Sequence, residues 1–140
     1  MKPKVGQKAP EFKAHVIGGK YSDETEITLS SLLGERVVLV FYPKDNTPGC
    51  TTQACAMRDD WAALTGKATV FGVSIDPIKS HLKFIDKQQL PYPLISDESK
   101  QIVDAYGVWV EKQMYGKKYM GTERSTFVID ADGWGMAVLE

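Results

Sequence analysis

Arg36-Val37-Val38-Leu39-Val40-Phe41-Tyr42-Pro43-Lys44-Asp45-Asn46-Thr47-Pro48-Gly49-Cys50-Thr51-Thr52-Gln53-Ala54-Cys55 carries, in order, a strand, a loop and the start of a helix. The unbroken apolar, β-branched run from Arg36 to Tyr42 suits a strand buried on both faces. Thr47 before Pro48 predicts an N-cap followed by proline at the first helical position. Cys50 is then the third helical residue. The helix is predicted to run from there to about Leu64, with Ala54, Met57, Trp61 and Leu64 on one apolar stripe. At about 100° per residue, Cys50 falls on the side of that stripe and faces inward.

That position has a chemical consequence. The unpaired amides and positive dipole end of a helix stabilise an anion placed there. They favour thiolate over thiol, and thiolate is the reactive form of cysteine. Cys55 lies roughly 140° further round the helix, with its Cα roughly 9 Å from that of Cys50. A disulfide needs Cα atoms within about 7 Å. The two sulfurs can therefore meet only if the first turns unwind. Two readings of Cys50 compete at this point: an inert, small buried residue, or a redox-active thiol with Cys55 as its partner.

Working outward, the 140 residues show no repeat, low-complexity tract or linker and read as one domain over 1–140. Two further strand-like runs are Ala68-Thr69-Val70-Phe71-Gly72-Val73-Ser74-Ile75 and Ser125-Thr126-Phe127-Val128-Ile129. Helical signals alternate with them. Ser30 to Gly34 reads as a short capped helix. Asp76-Pro77 reads as a cap with proline at the first helical position, ahead of Ile78, Leu82 and Ile85 on one face. Ser99 to Tyr106 reads as a short helix ended by Gly107. Trp109 to Thr122 reads as a hairpin or loop, and Asp130-Ala131-Asp132-Gly133 as a turn into a last strand near Met136-Ala137-Val138. Strands alternating with helices predict an α/β layer structure.

Composition bounds the function. Hydrophobic residues make up 43% and charged residues 25%, with a net charge of −1. No basic face for nucleic acid is expected, and no apolar run reaches the roughly 18–20 residues that span a bilayer. The N-terminus lacks an apolar signal core, so a cytoplasmic monomer or small oligomer is expected. Two cysteines are too few for a disulfide scaffold or a zinc ribbon, and no His or further Cys lies near the pair, so a metal site is not expected. His15 and His81 stand isolated and read as surface or packing residues.

The segment Phe41 to Cys55 resembles the active-site segment of the peroxiredoxins, above all the bacterioferritin comigratory protein (Q-type) subfamily. Pro43, Thr47 and Cys50 match the Pro-x-x-x-Thr-x-x-Cys pattern. The similarity extends through Gly6 to Phe12, Val73 to Asp76, Ser96-Asp97 and Glu123 to Phe127, over roughly residues 3–133. The resemblance implies a thioredoxin-like fold with a central mixed sheet flanked by helices. It implies reduction of hydrogen peroxide and organic hydroperoxides without metal, haem or flavin. Carried over by position, Cys50 is the peroxidatic nucleophile and Cys55 the resolving cysteine. Thr47 and Arg124 hold the peroxide oxygens, Arg124 also stabilises the thiolate, and Pro43 shields the site. The disulfide would be reduced by thioredoxin or a glutaredoxin-like dithiol donor.

Two departures stand out. Gln53 occupies a position where this subfamily often has glutamate. The chain also stops at Trp134-Gly135-Met136-Ala137-Val138-Leu139-Glu140, where family members continue with a full strand and a terminal helix. A C-terminus shortened naturally or by truncation, with a sheet edge or an apolar face left uncovered, is expected from that. Two rival readings are a thiol–disulfide oxidoreductase, which would use Cys-x-x-Cys, and a peroxide sensor that recruits a partner when its helix unwinds.

Overall fold

The computed structural model describes residues 2–59 and 68–139. The first strong run forms strand β3 (Val37–Phe41), an interior strand of a seven-stranded sheet. Side chains alternate across it, as a strand requires. Val37, Leu39 and Phe41 join the larger core with Phe71 and Val73 of β4 (Thr69–Ser74) and Phe127 and Ile129 of β8 (Ser125–Ile129). Tyr42, just past β3, belongs to a second, smaller cluster. The remaining strands are β1 (Lys13–Gly18), β2 (Tyr21–Thr28), β5 (Leu94–Ser96) and β9 (Gly135–Leu139), in the order β2-β1-β5-β4-β3-β8-β9. The pairs β3/β4 and β4/β5 are parallel; all other neighbours in the sheet are antiparallel.

Four helices are described: α1 (Leu29–Leu32), α2 (Pro48–Asp59), α3 (Ile78–Gln88) and α4 (Gln101–Ala105). Cys50 and Ala54 of α2 and Phe84 of α3 pack with Tyr42, Leu90, Tyr92 and Leu94 in the smaller cluster. Ile102 and Val103 of α4, with Tyr106, enter the larger one. Each such buried Phe or Leu contributes about 1.5–3 kcal/mol relative to exposure. Helices on both faces explain why β3, and β4 between Thr69 and Ser74, are apolar rather than alternating. This is the mixed α/β sheet that the sequence leads one to expect.

Local signals were mostly met. Thr28 caps α1 in a capping box with Ser31. The 109–122 segment is a hairpin, β6 (Trp109–Met114) with β7 (Lys117–Thr122), paired apart from the main sheet. Its turn residues Tyr115 and Gly116 have φ of 52° and 78°, the two positive values a tight two-residue turn demands. The 130–133 turn delivers β9 to the sheet edge, where backbone bonds from Gly6, Gln7 and Ala9 bridge it near Gly133–Gly135. The expected continuation of α2 to Trp61 and Leu64 lies outside the described residues.

Helix α3 corrects the reading of its segment. Its N-cap is Pro77, not Asp76, and the helix begins at Ile78. Asp76 is engaged elsewhere, accepting from the Ser74 hydroxyl and the Asp45 amide. Ile85 packs against the smaller cluster as its spacing suggests, but Leu82 is 49% exposed and the buried residues of the helix are His81 and Phe84. His81 is therefore no surface residue. A polar ring can turn inward there because both of its nitrogens find partners.

Register explains what meets at one end of the sheet. Phe41 pairs with both Val73 and Ser125. Arg124, one residue before β8, therefore stands level with Tyr42, where the chain leaves β3 for α2. Ser74 pairs with Ser96 at the same end. The C-terminal ends of the parallel strands β3, β4 and β5 thus open onto the loop that carries Cys50, the edge where open α/β sheets hold their ligands.

Candidate active site

Thr47 sits at the N-cap position of α2, and its carbonyl accepts the Thr51 N–H at 2.8 Å, the first helical bond. Pro48 follows as the first helical residue, and Cys50 is the third. The inward direction read from the stripe holds, since Cys50 is only 2% exposed. Behind it lies a narrow cleft lined by Val40, Tyr42, Ala54, Met57, Phe84 and Tyr92. The Thr47 hydroxyl donates to the Lys44 carbonyl at 2.9 Å. Its hydrogen is spent there, so the oxygen can act only as an acceptor toward anything else.

Arg124 arrives from the far side of β3. Its Nη2 donates to Cys50 Sγ at 3.0 Å and its Nη1 to Gln53 Oε1 at 2.7 Å. A guanidinium held on a sulfur at a helix start sets a permanent positive charge and a hydrogen-bond donor against the one atom here able to act as a nucleophile. Gln53, one turn past Cys50, orients this cation without neutralising it, as a glutamate there would.

Gly49 makes the contact possible. A Cβ on residue 49 would stand 2.9 Å from Arg124 Nη2. Gly49→Ala is expected to leave folding stability near wild type, because the obstructing atom ends a flexible side chain. It should displace the guanidinium from sulfur and slow the reaction of Cys50 with oxidant by about tenfold, the scale of one lost charged hydrogen bond. Stopped-flow oxidation beside thermal denaturation checks both halves.

Pro43 is half-buried at the start of the loop, while Cys55 stands apart from this cluster, on another side of α2. Its Sγ donates to Gln88 Oε1 at 3.2 Å, and both cysteines are free thiols. The structure thus brings Cys50 and Arg124 into contact, sets Thr47 and Pro43 on the adjoining loop, and keeps Cys55 away while α2 is intact.

Sequence reasoning missed the group that anchors the loop. Asp45 is 4% exposed and His81 is 0% exposed. Asp45 Oδ1 accepts from the Tyr42 hydroxyl at 2.6 Å; Oδ2 accepts from the Ser80 hydroxyl at 2.8 Å and lies 2.7 Å from His81 Nδ1. His81 Nε2 lies 2.9 Å from the Ile95 carbonyl oxygen, which can only accept, so Nε2 carries hydrogen. A second hydrogen must lie between Nδ1 and Asp45, where two bare acceptors would repel. Burial, reinforced by Asp45, pushes the Tyr42 phenol well above its ordinary range, so it remains a neutral donor. Asp45, Asp76 and His81 offer ligand atoms within 4.8 Å of one another, but the atoms of Asp45 and His81 are already committed to these bonds. A cation would have to displace them.

The fold and this site together define a thioredoxin-like protein built around a buried, arginine-bound cysteine. The AhpC/TSA family matches residues 5–134. The bcp protein of Coxiella burnetii is 46% identical over 135 residues, covering 95% of this chain and 85% of that protein. Peroxiredoxin Bcp of Bacillus subtilis is 43% identical over 130 residues, covering 92% and 80%. Among solved structures, a cysteine-to-serine mutant of Xylella fastidiosa PrxQ superimposes with a TM-score of 0.86 at 33% identity, covering 99% of this chain and 86% of that one. The chain belongs to the AhpC/TSA family and, within it, to the Bcp (Q-type) peroxiredoxins, thiol-dependent peroxidases. Among the described residues, no helix is long and apolar enough to cross a membrane.

Proposed function

We propose that this protein reduces hydrogen peroxide and organic hydroperoxides through Cys50, with Cys55 as the resolving thiol and thioredoxin or a glutaredoxin-like dithiol as reductant. The observation that carries this reading is the Arg124 Nη2 bond to Cys50 Sγ, 3.0 Å long, at the third residue of α2. Helix start and guanidinium together make the sulfur a nucleophile.

The thiolate attacks the outer peroxide oxygen, the O–O bond breaks, and the alkoxide or hydroxide takes a proton and leaves as alcohol or water. Cys50 becomes sulfenic acid. Arg124 carries the charge that moves from sulfur to the departing oxygen. The Thr47 oxygen accepts the hydrogen of the hydroperoxide and so fixes its outer atom against sulfur. Pro43 screens this reaction from bulk water. Cys55 then displaces the sulfenic oxygen as water and forms the disulfide, after the first turns of α2 unwind. A dithiol donor returns two electrons. The protein acts as a single domain, monomer or small oligomer, in the reducing cytoplasm, where such a donor keeps thiols reduced.

Steady-state peroxide consumption with thioredoxin and its reductase is the test. The reading predicts many turnovers per molecule. Reaction that stops after one equivalent, with the donor present, would instead favour the sensor.

A further inference from the structure

Helix α3 holds both the loop that precedes α2 and the second half of α2 itself. Near its start, Ser80 and His81 hold Asp45, in the loop that leads to Cys50. Near its end, Gln88 meets the other cysteine. Cys55 Sγ donates to Gln88 Oε1 at 3.2 Å, and Arg58 Nη1 donates to the Gln88 carbonyl at 2.7 Å. His81, Phe84 and Gln88 are spaced three and four residues apart, which puts them on one face of α3. The side chain of Gln88 is the only link between the described helices that ends on the Cys55 sulfur.

We propose that Gln88 is a positioning residue for the second chemical step: its side-chain oxygen holds the Cys55 sulfur in its helical position, and giving up that bond is part of the barrier to disulfide formation. The proposal rests on the reading of Cys55 as the resolving thiol. In that step the Cys55 sulfur attacks the sulfur of the Cys50 sulfenic acid. The S–S bond forms, the S–O bond breaks, and hydroxide leaves with the Cys55 proton as water. No other oxidant or reductant enters. The proton that departs is the one Gln88 Oε1 accepts, so attack cannot begin until that bond is released. Peroxide attack on Cys50 involves neither group. Gln88 therefore sets how long the sulfenic acid waits, and with it the share that a second peroxide converts to sulfinic acid.

Three proteins test this: wild type, Gln88→Met and Gln88→Glu. Methionine keeps the length of the side chain and leaves the backbone bond to Arg58, but removes the acceptor. Glutamate restores an acceptor. Cys50 oxidation and disulfide formation are timed separately by quenching with a thiol-blocking reagent and reading intact mass; sulfinic acid is read after excess hydrogen peroxide. Gln88→Met is expected to form the disulfide roughly twofold to tenfold faster, the scale of one neutral hydrogen bond. Its sulfinic share should fall, with Cys50 oxidation and the thermal midpoint unchanged. Gln88→Glu should return to the wild-type rate or below it.

A wild-type disulfide rate in Gln88→Met would overturn the proposal. So would a Gln88→Glu as fast as Gln88→Met, which would point to packing rather than the acceptor, or a parallel change in Cys50 oxidation, which would point to general loosening. A wild type that accumulates sulfenic acid and forms no disulfide would defeat the Cys55 assignment itself, an outcome distinct from these three.

Discussion

Cys50→Ser is expected to reduce peroxide consumption to the uncatalysed background while the fold stays intact. Serine is nearly isosteric with cysteine, and its hydroxyl can still accept from Arg124, so α2 and its packing against Phe84 and Tyr92 should survive. What disappears is the nucleophile. A serine hydroxyl needs an adjacent general base to act. The polar group bonded to the side chain of residue 50 is Arg124, a permanent cation that cannot take a proton. A coupled peroxide assay and a far-ultraviolet dichroism spectrum, taken together, check the two halves. Residual turnover would mean that another group attacks peroxide; the only other cysteine is Cys55.

Asp45→Ala should give the largest loss of stability, about 3–5 kcal/mol, because removing one member of a buried, hydrogen-bonded charged group leaves its partners stranded. Those partners are the Tyr42 hydroxyl, the Ser80 hydroxyl and His81 Nδ1. For a chain of this length such a loss lowers the thermal midpoint by roughly 10–15 °C. The double variant Asp45→Leu with His81→Met replaces the polar group by apolar volume and should recover a good part of the loss. Denaturant titration of Asp45→Leu, His81→Met and the double variant forms the cycle that isolates the pair. Additive losses would show that Asp45 and His81 do not act together. The loop is also the approach to Thr47 and Cys50, so Asp45→Ala should react more slowly with peroxide even where it remains folded.

Strand β3, the loop and the start of α2 could be read directly, because a buried parallel strand and a Thr-Pro helix start each leave a strong local signature. The same holds for β4, β8 and the turn into β9. Strand β2 left none: Tyr21 to Thr28 is polar along most of its length, and its residues are largely exposed at the edge of the sheet. Strand β5 is three residues long, too short for any period to show. At the site, the inward direction of Cys50 and its separation from Cys55 follow from helix geometry alone.

Arg124 is 74 positions from Cys50; no spacing rule joins them, and only the family resemblance pointed there before the β3–β8 register supplied the reason. The resemblance also marked position 53, where the neutral side chain turns out to orient the arginine. Nothing pointed to His81. Apolar periodicity favours Leu82 over histidine as the inward residue, and pairing with Asp45 across 36 positions depends on the β3 and β4 strand ends meeting. One trace was present: Asp45, Asp76, Ser80 and His81 all lie just beyond the ends of two apolar strands, where an α/β sheet gathers polar groups.

The most direct measurement is the intact mass of the reduced protein after one equivalent of hydrogen peroxide, run beside Cys55→Ser. If the Cys50 sulfur attacks and Cys55 captures it, wild type loses about two mass units and Cys55→Ser gains about sixteen. An unchanged wild-type mass would contradict a nucleophilic Cys50, and a wild-type gain of about sixteen would contradict capture by Cys55.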